Sequence, residues 1–348
     1  MGKTKLIEQK MCYSSEEVWF PLSEDILAWE MDFHNLMLND QIRMKAYEKA
    51  IKEVVKPGMK IVDLGTGTGI LSLWALEAGA SKVYGIDVNA EILKKADERI
   101  QQAGFSDRYQ TINKLSYKAE LPEKVDVIIS EILGNLADNE DMTPIIDDAR
   151  IRFLKKDGVI LPRRVKTFIV PVSSTNAYDQ LKKKQCKGVN SKYEIDDLMD
   201  KLQIDDQFNL YYDMIVPKQT YLSDPQVVCQ FEFDGKDESQ YELTRSYLVK
   251  NAGIFTGFKG YFVAQLSNNV VLDISGDDIE NRDTSDCWKH CYLPVKKPFS
   301  VFKGDEIVSK YSRYYPSVRN SAFRQGYSWQ GDVIRDKKVV YSFCQKTG

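Results

Sequence analysis

Residues 59–87 read MKIVDLGTGTGILSLWALEAGASKVYGID. A short apolar run, a glycine-rich turn, a helix-like segment ending at Gly79 and the second apolar run KVYGID indicate strand, turn, helix and strand. Outward from there, Asn89 can cap a helix over AEILKKADERIQQ, and YQTIN, VDVIIS and GVIL are further short strands. Strands that alternate with helices predict an α/β fold with a doubly wound parallel sheet.

The rest of the chain divides on either side of this sheet. Apolar residues recur at helical spacing over residues 36–55, which predicts a helix that Pro57-Gly58 ends. After Pro162 the segments KTFIVPV, VVCQFEF, GYFVAQL and VVLDIS predict an antiparallel β domain. Residues 175–215 are polar and tyrosine-rich, so they are either an inserted arm or a solvated loop. The predicted units are an N-terminal segment (1–35), a parallel-sheet domain (36–162) and an antiparallel domain (163–348).

Composition limits the classes of partner. The chain has 348 residues, of which 43% are hydrophobic and 28% charged, with a net charge of -3. A mildly acidic protein is a poor match for nucleic acid or an anionic membrane as its main partner, because both attract basic patches. No apolar run approaches the ~18 residues of a membrane span, and the first residues lack a signal peptide's apolar core. We therefore expect a cytoplasmic protein.

The cysteines offer little sign of a disulfide framework or a metal site. All 6 are scattered along the chain, so reduced thiols are the simplest interpretation. Cys287, His290 and Cys291 lie close together, but no second ligand pair accompanies them and the chain has only 2 histidines. We therefore expect no metal.

The glycine-rich turn predicts a ligand site. Gly65, Gly67 and Gly69 let the backbone approach a ligand, and Asp87 at the end of the second strand suits a ribose diol. The G-x-G-x-G spacing differs from the G-x-G-x-x-G of nicotinamide enzymes, which leaves a dehydrogenase as a weaker alternative. It suits S-adenosylmethionine (SAM), which has no pyrophosphate but carries an ammonium group that Asp63 would hold, directly or through water. A glycine-rich turn without a ligand is the remaining alternative.

A second acidic motif follows the strand VDVIIS. Glu131 lies at the strand's carboxyl end, where open α/β sheets bind ligands, and a glycine in the loop would let it fold back to bring Glu140 nearby. Two carboxylates can each take paired hydrogen bonds from one planar guanidinium. An acidic, solvated loop is the alternative, because charge runs usually face solvent. Further acids would add attraction for a cationic substrate: Asp138, Asp141, Asp147 and Asp148.

At these residues the chain resembles the protein arginine methyltransferase family, from about residue 25 to the end. VDLGTGTGILSLWALEAGASKVYGID is similar to that family's SAM-binding region, and SEILGNLADNEDM to its double-glutamate loop. LNDQIRMKAYEKAI resembles its N-terminal helix, which implies that Arg43 pairs with the SAM carboxylate and that His34 lies against the cofactor. GIFTGFKGYFVAQLSNNVVLDIS resembles its β-barrel domain, so residues 175–215 would hold its dimerisation arm and the chain would form a homodimer.

The resemblance also has departures. SEDILAWEMDF replaces the family's tyrosine-rich helix, and Asp286-Cys287-Trp288 replaces its Thr-His-Trp loop, so the histidine that would pair with Asp40 is missing. Ser116 and Tyr117 stand where the family carries an acidic residue near the adenine, which would then be held by backbone and stacking. The candidate substrate-binding residues are Met37, Met142 and Trp288. Packing in the core explains the presence of the two methionines equally well.

The predicted function is therefore SAM-dependent methyl transfer to a guanidino nitrogen of arginine in a peptide or protein. Glu131 and Glu140 are the catalytic candidates. One alternative is a methyltransferase for free arginine, another guanidino small molecule or a natural-product peptide. The other is a catalytically silent SAM-binding scaffold, which the missing histidine and tyrosines favour and the intact glutamates and Asp87 oppose.

Overall fold

A computed structural model describes residues 13–21, 31–187, 195–202, 204–281, 283–316 and 325–347. The rest of the predicted N-terminal segment, including residues 23–30 of SEDILAWEMDF, lies outside the described residues. Among those that are described, no helix is both long and apolar enough to cross a membrane.

The first sheet is parallel, with the strand order β3-β2-β1-β4-β5. The order reverses between β1 and β4, so the carboxyl ends of these two strands border a crevice. This topology confirms the predicted α/β class, since each predicted strand is present. The strands are β1 (Lys60–Leu64), β2 (Lys82–Asp87), β3 (Tyr109–Asn113), β4 (Val125–Ser130) and β5 (Leu154–Leu161).

Helices connect and cover these strands, and α3 contacts both α2 and α4. The single helix predicted over residues 36–55 was wrong, because the backbone at Asp40 is extended and interrupts it. The Asp40 side chain caps the second helix by accepting hydrogen bonds from Ile42 and Arg43 N–H. The helices are α1 (Met31–Asn39), α2 (Gln41–Val54), α3 (Ile70–Glu77), α4 (Ala90–Gln102) and α5 (Met142–Phe153).

The second half of the chain forms two antiparallel sheets, as predicted. Their strand orders are β7-β12-β10-β6-β8, with β11 beside β10, and β15-β14-β13-β9. Aromatic side chains, among them Phe255, Phe258 and Trp329, are buried between the sheets. The strands are β6 (Arg164–Val172), β7 (Tyr212–Met214), β8 (Gln226–Phe231), β9 (Tyr241–Leu248), β10 (Gly253–Gln265), β11 (Val271–Asp273), β12 (His290–Val301), β13 (Glu306–Tyr314), β14 (Gly326–Arg335) and β15 (Lys338–Lys346).

The region predicted as an arm, residues 175–215, contains α6 (Thr175–Lys182) and α7 (Ile195–Leu202) ahead of β7. Ala177, Leu181 and Met199 from these helices belong to the same buried cluster as the antiparallel sheets. The described residues of this region therefore pack on their own domain, and their part in dimerisation stays a prediction.

The two halves share a hydrophobic core. Phe262 and Leu272 of the antiparallel half and Trp288 of a loop belong to the cluster that contains the interior of the parallel sheet. This shared core fixes the antiparallel half against the carboxyl ends of β1 and β4, beside the crevice.

Candidate active site

A cavity of about 250 Å³ lies at the crevice beyond β1, β2 and β4. Most of the residues predicted to bind cofactor or substrate line it, although they come from four separate parts of the chain. These lining residues are His34, Met37, Arg43, Gly65, Gly67, Asp87, Ser116, Glu131 and Glu140.

The glycine-rich turn forms one wall of the cavity. Gly65, Gly67 and Gly69 all have positive φ, at 69°, 52° and 74°, which other residues rarely adopt. A Cβ on Gly69 would lie 2.8 Å from the Cβ of Ala96, so this glycine serves close packing of α3 against α4 and does not line the cavity. Gly67 N–H donates to Asp87 Oδ2 at 3.0 Å, which fixes the acid at the cavity edge.

Asp63 lies beneath this turn and does not line the cavity. Its Oδ2 accepts hydrogen bonds from Thr66 Oγ1 at 2.8 Å and Ser72 Oγ at 2.7 Å, which hold the turn on the start of α3. Burial raises the pKa of Asp63 to about 6, although the two hydroxyls oppose the shift. Asp63 therefore positions the turn, and a contact from it to an ammonium group stays a prediction.

Arg43 and Glu131 form a buried ion pair at the inner end of the cavity. Arg43 Nε and Nη2 lie 2.8 Å and 2.5 Å from Glu131 Oε2, and Nη1 donates to the Met37 carbonyl at 3.1 Å. Burial would lower the pKa of Arg43, but the charge of Glu131 outweighs it and raises that pKa. Arg43 is thus placed at the site, and its predicted pairing with a cofactor carboxylate stays a prediction.

Glu140 shares the cavity with Glu131, as the sequence predicted. Among the described residues, no donor forms a hydrogen bond with the Glu140 carboxylate. Burial and the nearby charge of Glu131 raise its pKa to about 8, against a smaller opposing effect of Arg43. The site therefore presents a carboxylate that a cation would stabilise.

The double-glutamate loop, residues 131–141, folds back on itself through Gly134. A Cβ on Gly134 would lie 2.0 Å from Asn139 Oδ1, so only glycine fits there. Ala137 N–H donates to the Gly134 carbonyl at 2.8 Å, and Ala137 adopts a φ of 70°. Asn139 Oδ1 then accepts a hydrogen bond from Leu136 N–H at 2.9 Å, which closes the loop and returns Glu140 to the cavity.

The chain is similar in sequence to known methyltransferases. Residues 44–161 match the model of ribosomal protein L11 methyltransferase (PrmA), and residues 164–321 match that of the PRMT5 oligomerisation domain. Protein arginine N-methyltransferase 2 of Xenopus tropicalis is 28% identical over 91% of this chain and 73% of its own length. The similarity to a protein arginine N-methyltransferase therefore extends over most of this chain.

Other relatives match a shorter stretch of this chain. Protein arginine N-methyltransferase 6 of Xenopus laevis is 34% identical over 41% of this chain, and the match spans 43% of that relative. Two solved structures share the fold. A PRMT1 enzyme–prozyme complex from Trypanosoma brucei covers 92% of this chain and 99% of its own, with a TM-score of 0.75 and 19% identity. Arginine methyltransferase 10 of Arabidopsis thaliana covers 90% of this chain and 96% of its own, with a TM-score of 0.74 and 20% identity.

Four other acids near the double-glutamate loop were predicted to add attraction for a cationic substrate. All four are already paired with arginines of the chain, because carboxylates in or beside a folded loop need a compensating charge. The pairs are Asp138 and Asp141 with Arg313, Asp147 with Arg150, and Asp148 with Arg152.

Three further candidate residues do not line the cavity. Tyr117 follows Ser116 in a short 3-10 turn, in which successive side chains point apart, and it is 48% exposed. Met142 is fully buried at the start of α5, where it packs in the core. The Trp288 indole N–H donates to the Leu133 carbonyl at 2.5 Å, so this residue supports the double-glutamate loop from behind.

His290 has a structural environment. Its Nδ1 accepts a hydrogen bond from Val216 N–H at 2.9 Å, and its Nε2 donates to the Ile274 carbonyl at 3.0 Å. Burial lowers the pKa of His290 well below its usual value, so the ring stays neutral. Within the described ranges, no group of three or more His, Cys, Asp or Glu side chains could hold a metal ion.

Sequence reasoning missed Ser285, which contacts Asp40 together with Cys287. The signal available was Asp40 itself, a good helix-capping residue in the middle of an apparently continuous helix. The contact between residues 245 positions apart could not be read from spacing.

Proposed function

We propose that this chain is a SAM-dependent N-methyltransferase that acts on a guanidino nitrogen of arginine in a peptide or protein. The observation that carries the proposal is that Glu131 and Glu140 face the same cavity as the glycine-rich turn and Asp87. The similarity to relatives named protein arginine N-methyltransferases supports it.

The residues around the cavity fit SAM. Asp87 and Ser116 line the cavity, where Asp87 would accept hydrogen bonds from ribose hydroxyls and Ser116 would lie beside the adenine. Arg43 would pair with the amino-acid carboxylate, and His34 would pack against the cofactor, with its Nδ1 3.8 Å from the position of a Cβ on Gly67. When bound there, SAM supplies a methyl group on a positively charged sulfur.

The two glutamates would hold the acceptor in place for in-line attack. A guanidinium has a pKa above ~12 and spreads its positive charge over three nitrogens. Carboxylates beside two of them concentrate that charge there and leave the third nitrogen more nucleophilic. Most of the rate enhancement would then come from positioning and electrostatic complementarity.

Glu140 is suited to receive the proton that methyl transfer releases. Its pKa of about 8 lies near neutral pH, where a general base is most effective. The positive charge of an arriving guanidinium lowers that pKa. After methyl transfer, the protonated Glu140 carboxyl can pass its proton to water.

A panel of acceptors tests this proposal. Methyl-labelled SAM is offered with an arginine peptide, the same peptide with lysine in place of arginine, and free arginine. Label in the arginine peptide alone is the expected result. Label only in free arginine would instead favour small-molecule chemistry, and no label in any acceptor would contradict the proposed activity.

We also propose that the protein forms a homodimer through residues 175–215. The match of residues 164–321 to an oligomerisation domain supports this, as does the heterotetrameric complex named for the Trypanosoma brucei neighbour. Light scattering after size exclusion should give twice the chain mass, whereas a monomer at micromolar concentration would contradict it.

A further inference from the structure

Asp40 lies between α1 and α2, and hydrogen bonds engage both of its carboxylate oxygens. Oδ1 accepts from Ile42 N–H at 3.1 Å and Arg43 N–H at 3.0 Å. Oδ2 accepts from the Ser285 hydroxyl, from Cys287 N–H at 3.1 Å and from the Cys287 thiol at 3.0 Å. The residue is only 1% exposed, so these donors replace the water that its charge would otherwise require. We name Asp40, Ser285 and Cys287 the Asp40 junction.

The same loop also reaches the double-glutamate loop. Ser285 Oγ accepts a hydrogen bond from Trp288 N–H at 2.9 Å, and the Trp288 indole donates to the Leu133 carbonyl at 2.5 Å. Leu133 N–H contacts Glu131 Oε1 at 3.4 Å, and Glu131 pairs with Arg43. A closed series of contacts therefore runs from Asp40 through this loop to Glu131 and back through Arg43 to Asp40.

We propose that Ser285 and Cys287 are positioning residues, which hold Asp40, and through it Arg43, in register with Glu131. This rests on the proposed function of the cavity. Arg43 is bonded to Asp40 through its backbone N–H, so a shift of Asp40 shifts the guanidinium that pairs with Glu131. Neither residue touches the cavity, so each acts through the residues that do.

The thiol is suited to this role because it stays protonated. Burial and the charge of Asp40 raise the pKa of Cys287 well above its ordinary value, so the sulfur donates rather than repels the carboxylate. The Ser285 hydroxyl supplies a second donor to the same oxygen.

Asp40→Asn separates this role from helix capping. Asparagine caps helices as well as aspartate, so its oxygen can still accept from Ile42 and Arg43 N–H. The amide NH₂ then faces the donors of Ser285 and Cys287 and cannot accept from them. We expect kcat/KM for an arginine peptide to fall about 10-fold or more, because a buried hydrogen-bond group is left unpaired.

The Ser285→Ala/Cys287→Ala double variant removes both side-chain donors, so its kcat/KM should fall by a similar factor. The Ser285→Ala/Cys287→Ser double variant keeps a donor at position 287. Its kcat/KM should therefore lie within about twofold of that of Ser285→Ala alone. Cys344→Ala, an exposed cysteine on β15, is the matched control and should behave as the unmodified protein.

Hydrogen exchange of loop 284–288 provides a readout that does not need activity. Faster exchange there in Asp40→Asn and in the double variant, with lower kcat/KM and rescue by serine, supports the proposal. Unchanged exchange and kcat/KM, or a serine variant as impaired as alanine, would overturn it. If the unmodified protein transfers no methyl group, the proposed function fails, and the exchange data alone decide whether the junction exists.

Discussion

Glu140 shows how the surroundings of one side chain set its charge. Removal from water and the nearby Glu131 carboxylate raise its pKa from 4.5 to about 8, because both disfavour a second negative charge in the cavity. Its position after VDVIIS and a glycine-containing loop was readable from sequence. Its pKa was not, because that depends on burial and on how closely the loop returns to Glu131.

The raised pKa predicts a pH dependence. The fraction of ionised Glu140 grows as pH rises through about 8, so kcat/KM for an arginine peptide should rise across that range. Glu140→Gln should be at least about 100-fold slower, since it removes a charge from the transition state, and its profile should be flat there. Steady-state rates between about pH 6 and about pH 9 bracket this pKa and provide the measurement. Glu123→Gln, at a partly exposed glutamate outside the cavity, should keep the original profile. A rise that persists in Glu140→Gln would exclude Glu140 as its source.

Three candidate site residues lie away from the cavity for a common reason, so their predicted contacts with a ligand stay predictions. Asp63, Met142 and Trp288 have the residue types and spacings of ligand-binding groups, yet all three are buried behind the cavity walls. A sequence pattern places a residue near a site along the chain, but it does not show which way the side chain points.

At the scale of elements, the double-glutamate loop is held by strands of the other half. Arg313 on β13 pairs with Asp138 at 3.3 Å and Asp141 at 2.8 Å, and the Tyr241 and Tyr327 hydroxyls donate to Asp138 at 2.6 Å and 2.9 Å. The loop is therefore anchored at the end next to Glu140.

Arg313→Met should destabilise the protein, because it leaves Asp138 buried without its cation. We expect the free energy of unfolding to fall by about 3–5 kcal/mol, measured by denaturant titration. Arg335→Met removes a partly exposed pair with Asp305 and should lower the free energy of unfolding far less, because water screens that pair. Equal losses in the two variants would show that the Arg313 pair has no special importance for stability.

Gly134→Ala should impair catalysis more than folding. The added Cβ would displace Asn139, and a shift of roughly 1 Å in the loop can cost about 100-fold in rate. Gly104→Ala is the control for the added atom itself, because nothing lies within 4 Å of it, although the φ of Gly104 is positive, at 79°. Rates and melting temperatures of both variants provide the measurement, and normal turnover in Gly134→Ala would contradict the tight fold of this loop.

The helices show where periodicity was informative and where it was not. Helix α4 and its Asn89 cap could be predicted from the sequence. Helix α5 was missed because only a few apolar residues form its buried face and Pro144 interrupts the sequence pattern. Proline is tolerated there because the first turn of a helix needs no donor from it. The break at Asp40 was missed because its cause includes distant residues of another domain.

On the scale of the whole molecule, the shared core couples the two halves. Phe262, Leu272 and Trp288 complete the cluster that surrounds the parallel sheet, so neither half buries its apolar surface alone. Heating should give one cooperative transition by calorimetry, with agreement between calorimetric and van't Hoff enthalpies. Two resolved transitions would contradict the coupling of the halves.

The fold class could be predicted, because strands alternate with helices in the first half and strands follow one another in the second. The contacts that join the two halves could not be predicted. Arg313, for example, donates a hydrogen bond to the carbonyl of Asp138, which lies 175 positions earlier in the chain. No local pattern marks such a pair.

The central claim is that Glu131 and Glu140 together hold a guanidinium. The most direct measurement is methyl transfer to an arginine peptide by Glu131→Gln at saturating SAM, beside Glu123→Gln as control. The account predicts a fall of at least about 100-fold in kcat/KM for Glu131→Gln, because one charged partner of the guanidinium is lost, with the control unaffected. Near-normal turnover in Glu131→Gln would contradict it.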